Sequence, residues 1–203
     1  MRGVDTDVID TLAGIKPGSA LDRIRHRRPQ AREQAQASYL ALFAPEIPGQ
    51  VTATERFAVA AFVAGLHGDA ATASFYAAGL AASGASAELR GAIDMAIAAA
   101  TAVPARGPYG AYPPGPLSRE DTTGPTHRVV AETSGALRLR LAAAFDHMHL
   151  LVFHPRDAGP AALQALLDAG WSTTDIVTLS QIAAFLSFQI RTVAGLRVLG
   201  TTR

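Results

Sequence analysis

The chain has 203 residues, 49% of them apolar and 17% charged, with a net charge of +1 and no cysteine. A chain of this length buries a sizeable core without metals or disulfides, and the missing cysteines exclude disulfides, zinc–thiolate centres and thiol nucleophiles within it. The near-zero charge supplies no field to gather nucleic acid or an anionic membrane, and the small charged fraction predicts apolar surface that meets a second subunit.

Met1 is followed by Asp5, Asp7 and Asp10 rather than by an apolar core, and no uninterrupted apolar run approaches the length of a membrane span. The expectation is a soluble, cytoplasmic protein with neither membrane nor nucleic acid as partner. Residues 4–14 place Val8, Ile9 and Leu12 at helical spacing before Gly14 and the Lys16-Pro17 step, which reads as a short helix. Ser19 caps a second segment containing Leu21 and Ile24, and Pro29 separates it from a third with Ala35, Tyr39 and Leu42. Arg23, Arg25, Arg27, Arg28 and Arg32 make this stretch the most basic in the chain. A phosphate or macromolecule site is one reading. The flanking Asp22 and Glu33 and the lack of interleaved aromatics favour a solvated or subunit-facing helix.

Thr52-Ala53-Thr54-Glu55 fits the capping box that starts a helix, with Phe57, Ala61, Val63 and Ala64 as its apolar faces up to His67-Gly68. Residues 70–83 form an alanine-rich helix with Phe75, Tyr76 and Leu80, which Gly84 stops. Ser86 caps the next, in which Leu89, Ile93, Met95 and Ile97 face inward. Residues 104–128 then carry six prolines and four glycines, which exclude a continuous helix. A loop of this length covers a pocket, wraps a neighbour or simply connects two halves.

The second half opens near Ala136 and runs through Leu137, Leu141, Phe145, His147, Met148 and His149 to Phe153. Pro160 suits the first position of a helix that Gly170 closes. Ser172 and Asp175 look like another cap, before a long final helix striped by Ile176, Leu179, Ala183, Leu186, Ile190 and Val193. Ile182, Phe185, Leu196 and Leu199 occupy a second face, and a helix apolar on two faces is central or shared between chains. We therefore expect a homo-oligomer, with Phe185, Phe188, Leu196 and Leu199 as interface candidates. Leu80, Gly84 and Ser86 recur as Leu166, Gly170 and Ser172 at a constant offset of 86, the mark of a duplicated helical hairpin. The organisation predicted is one all-α domain over residues 1–203. It comprises N-terminal helices (1–50), a first repeat (51–103), the Pro/Gly-rich loop (104–128) and a second repeat (129–203).

The run Ala165-Leu166-Leu167-Asp168-Ala169-Gly170-Trp171-Ser172, with Asp175-Ile176, Ala183-Ala184-Phe185 and Gln189-Ile190-Arg191-Thr192-Val193-Ala194-Gly195-Leu196, resembles the carboxymuconolactone decarboxylase and alkylhydroperoxidase D superfamily. The likeness is greatest to its peroxidase-related branch with two helical repeats and covers residues 51–100 and 137–200. The family usually has asparagine where Gln189 stands, while Arg191 matches its terminal arginine. The resemblance implies the alkylhydroperoxidase D-like helical fold and a homo-oligomer. It also implies a Cys-x-x-Cys pair and a histidine on the helix before the first glycine stop. Counting back from Gly84, those slots hold Asp69, Thr72 and Tyr76. No thiol peroxidase activity is expected without an attacking and a resolving thiol.

Three functions remain, the third of which takes the arginine-rich helix as an interaction surface for another macromolecule. One is acid–base chemistry on a small organic acid, lactone or peroxide-related metabolite, with His67 moving a proton, Glu55 orienting it and Tyr76 donating to an oxyanion. Asp69 and Thr72 are then substrate-binding candidates. The second is a non-catalytic ligand-binding or structural member, in which Glu55 and Asp69 are helix caps, His67 satisfies a helix end and Tyr76 packs. No metal or other cofactor is expected: His147 and His149, two apart, point to opposite sides of a helix, although His154 and Asp157 follow nearby.

Overall fold

A computed structural model describes residues 6–129 and 131–201, and the described residues form nine α-helices and no β-strand. The fold is all-α. The helices are α1 (Val8–Ala13), α2 (Ala20–His26), α3 (Pro29–Phe43), α4 (Ala53–His67), α5 (Ala70–Ala82) and α6 (Ala87–Thr101), then α7 (Ala131–Phe153), α8 (Pro160–Asp168) and α9 (Thr173–Thr201). The expected first-helix start at Val4 and the final two positions of the second repeat lie outside the described residues.

Local chemistry sets most of these boundaries. The side chains of Asp7, Ser19, Thr52, Asp69 and Ser86 each accept from the amide three residues on, which supplies a partner to a donor that the helix start leaves open. Thr52 and Glu55 complete the reciprocal box. Ser172 and Asp175 repeat it with the shorter acid: Ser172 N donates to Asp175 Oδ2 at 3.0 Å and Asp175 N to Ser172 Oγ at 3.2 Å. Gly84 and Gly170 both end their helices at φ 87°, a conformation that costs any residue with a Cβ about 1–2 kcal/mol. An added Cβ would meet nothing within 4 Å at either glycine, so the demand there is conformational rather than steric.

At the centre lies α4, buried on every side from Arg56 to Ala64. Ala58, Ala60, Ala61 and Ala64 keep its surface thin, so that α5, α6, α7 and α9 all reach it. The α7 helix, bent at Arg138 (φ 55°), packs in turn on α8, α9, α6 and α4. Phe62 of α4 stacks face to face on Phe145 of α7, centroids 4.3 Å apart, at the middle of the core. Arg140 of α7 binds both ends of the structure together. Its guanidinium donates to Glu55 Oε1 at 2.7 Å, to Asp175 Oδ2 at 3.4 Å and to the Gly170 carbonyl, while lying over the Trp171 ring.

The Pro/Gly-rich connector is held down along its length. Tyr109 N donates to Phe153 O at 2.6 Å, Gly110 forms an isolated antiparallel bridge with Thr122, and Ala111 N reaches Asp157 Oδ1 at 3.1 Å. Arg156 donates to Glu120 O and stacks over Tyr112, and His154 Nε2 meets Pro125 O. The segment is thus a strap pinned over the end of α7.

Three expectations are corrected by packing. Met95 is 54% exposed: two positions from Ile93, it points away from the face formed by Leu89, Ala92, Ile93, Ala96 and Ile97. Phe185 is covered by its own chain and so is not available as interface surface, whereas Phe188 is 50% exposed. The arginine stretch is not a continuous solvated face. Arg25 is buried and pairs with Asp7 and Asp10 at 2.8 and 3.0 Å, and Arg32 pairs with Asp10 at 2.6 Å, which fastens α1, α2 and α3 to one another. α9 is the one helix among the described residues long and apolar enough to cross a membrane. Its principal stripe, Ile176 to Val193, is buried against the rest of the chain.

Candidate functional site

The proposed acid–base centre does not assemble, for a reason of helix geometry. Glu55 stands in the first turn of α4 and His67 in its last, twelve residues and about 18 Å apart along the axis. Glu55 instead accepts from Thr52 N at 2.8 Å and from Arg140 Nε at 2.7 Å. It caps a helix and holds an arginine; it cannot orient His67.

The three slots that correspond to the resembling family's cysteines and histidine are occupied by packing. Asp69 caps α5 by accepting from Thr72 N at 2.8 Å, and its other oxygen accepts from Arg197 Nη1 at 2.6 Å. Thr72 and Tyr76 have no exposed surface. Tyr76 packs against Phe43 and Phe75, with centroids 5.1 and 5.2 Å away, and its hydroxyl donates to Gln189 Oε1 at 2.7 Å. Burial pushes the phenol well above 10, so it stays protonated. Asp69 and Thr72 therefore face a filled core and a helix cap, not a ligand.

His67 does not line a groove itself but contacts a residue that does. Its Nε2 lies 3.1 Å from Ser187 Oγ, and Ser187 lines a groove of about 370 Å³. The floor is α9, through Ser180, Ala183, Ala184 and Ser187. Leu151 and Val152 of α7 with Pro155 form one wall, and the Arg106-Gly107-Pro108 segment of the strap forms the other. Arg191 closes one end. Burial, and then the Arg191 charge, push the His67 imidazole down to about 4, so it is neutral at pH 7. Sequence reading missed the groove, because it brings together residues 106–108, 151–155 and 180–191, which are distant in the chain. One signal was present: Ser180, Ala183, Ala184, Ser187 and Arg191 form a strip of small and polar residues down one side of an otherwise large-residue helix.

Of the remaining histidines, His147, His149 and His154 are buried, His127 is half-buried and His26 is exposed. His127, near the end of the strap, lies against His149, and His149 against His154, with ring centroids 5.4 and 6.3 Å apart in succession. Burial, followed by its two histidine neighbours, pushes His149 down to about 4. His147 is buried on α7, its pKa lowered by burial, and neither ring nitrogen has a hydrogen-bond partner among the described residues. Among those residues no group of three or more His, Asp or Glu side chains is arranged to hold a metal ion. A second groove, lined by Asp7, His26, Arg32, Glu33 and Gln36, borders the N-terminal ion pairs. Comparison with protein-family models, with curated proteins and with solved structures found no match for this chain.

Proposed function

We propose that the chain is a cysteine-free member of the carboxymuconolactone decarboxylase and alkylhydroperoxidase D superfamily that binds a small ligand and carries out no thiol chemistry. The observation that carries this reading is the Tyr76–Gln189 hydrogen bond, buried where the resemblance puts a peroxidatic histidine. A superfamily scaffold whose reactive slots became core would look like this. Two further features support a duplicated scaffold. Gly84 and Gly170 share one backbone conformation, and α4 packs with α5, α6 and α9 much as α7 packs with α8, α9 and α6. The acid–base alternative loses support because Glu55 and His67 lie at opposite ends of α4. The purified chain is expected to turn over cumene hydroperoxide with a dithiol reductant no faster than buffer does. Thiol-dependent turnover that survives repurification overturns the reading.

We propose also that the protein works as a homo-oligomer, with half-exposed Phe188 as its apolar contact rather than the buried Phe185. Light scattering at micromolar concentration is expected to give a multiple of the 21.1 kDa chain mass, and Phe188→Glu to lower it. A parent mass near 21.1 kDa defeats the proposal.

A further inference from the structure

We propose that the groove between the strap, the end of α7 and α9 binds a small organic carboxylate with an apolar body of roughly six to ten carbons. The inference deepens the ligand-binding reading above and rests on it. Space comes first: before Arg191 at the groove's end, α9 turns the small side chains Ser180, Ala183, Ala184 and Ser187 toward the groove, and a leucine at any of these positions would fill part of it. Leu151 and Val152 face them, so the body of a ligand meets apolar surface on two sides.

Charge selects the ligand's head. Arg106 and Arg191 both line the groove, and neither has a carboxylate within ion-pair distance among the described residues. No acidic side chain lines the groove at all. Arg191 is steadied by donating from Nη1 to Ser187 O at 3.2 Å, which leaves its other donors for a planar, two-oxygen acceptor. Ser187 adds a hydroxyl. With His67 neutral, the tautomer protonated at Nε2 donates to Ser187 Oγ, and the serine proton then turns to an oxygen of the ligand. The two charged groups offered are both cationic and no carboxylate faces them, which fits an anion and not a cation.

Titrating the full chain calorimetrically with octanoate, octanamide and inorganic phosphate at pH 7 tests the assignment. Octanoate is expected to bind at least about tenfold more tightly than either control, since only it combines the charge with the apolar body. Arg191→Gln removes the head contact and Ala184→Phe fills the space. Both positions are exposed, so each variant is expected to keep the parent's circular dichroism and mass while losing at least about tenfold in octanoate affinity. Arg106→Gln supplies a second charge variant. No octanoate binding up to about 10 mM, octanamide or phosphate binding as tightly as octanoate, or variants that bind like the parent would each overturn the proposal. Failure to bind octanoate leaves the absence of thiol chemistry standing, and hydroperoxide turnover leaves the octanoate result standing.

Discussion

Replacing Arg56 by alanine is expected to destabilise the protein by about 3–5 kcal/mol, a large part of the 5–15 kcal/mol typical of a domain. Arg56 is only 6% exposed and makes no ion pair among the described residues; its guanidinium donates to three carbonyl oxygens. Nε reaches Val51 O at 3.0 Å, Nη1 reaches Leu42 O at 2.9 Å and Nη2 reaches Pro48 O at 2.7 Å. These carbonyls belong to the end of α3 and the turn that enters α4. Alanine would leave them without their charged donor and open a cavity beside the central helix. Urea unfolding measures the effect, with Arg56→Lys as an intermediate case because an ammonium cannot match the three-way geometry. A loss below about 1 kcal/mol for the alanine variant would show that the turn finds other donors.

Acidification below about pH 6.5 is expected to weaken the fold. His67 and His149 are held down to about 4, and His127 and His147 are also lowered, in every case chiefly by burial. In the unfolded chain each returns to about 6.5. Between about pH 6.5 and 4 the unfolded chain therefore binds more protons than the folded one. Stability is full above the unfolded value and falls as pH drops through this window. With four such groups, Tm should drop on the order of 10 °C between pH 7 and pH 5. Calorimetry at several pH values reads this directly, and His149→Gln should flatten the slope. A Tm that is constant from pH 7 to 5 would refute the account.

Helix boundaries were readable because they depend on neighbours in sequence. The Thr52–Glu55 and Ser172–Asp175 boxes, the Ser86 cap and the glycine stops at 84 and 170 all act within a few residues. The apolar stripe of α9 was readable for the same reason. Glu55 and His67 were misjudged because both are chemically suited to one site, yet a straight helix holds them apart. The arginine stretch was misjudged because its partners, Asp7 and Asp10, come from an earlier helix that only tertiary folding brings near. Ser187 showed only as part of a small and polar strip along α9, and Arg106 had no local signal for a site. Their meaning depends on the strap crossing α9, which no periodicity encodes.

Arg140 has a consequence for how the chain reaches this state. The two hairpin units are often pictured as modules, each able to form alone. Here one side chain from the second unit holds the opening turn of the first through Glu55 and that of the last helix through Asp175. The first unit therefore lacks a donor that its own leading helix uses, while the second holds both Arg140 and Asp175. If the chain were severed within the strap, each fragment would carry half of a shared clasp, and order would return only on reassociation. A single cooperative unfolding transition is the expected outcome, read by coincident melts followed by circular dichroism and by Trp171 fluorescence.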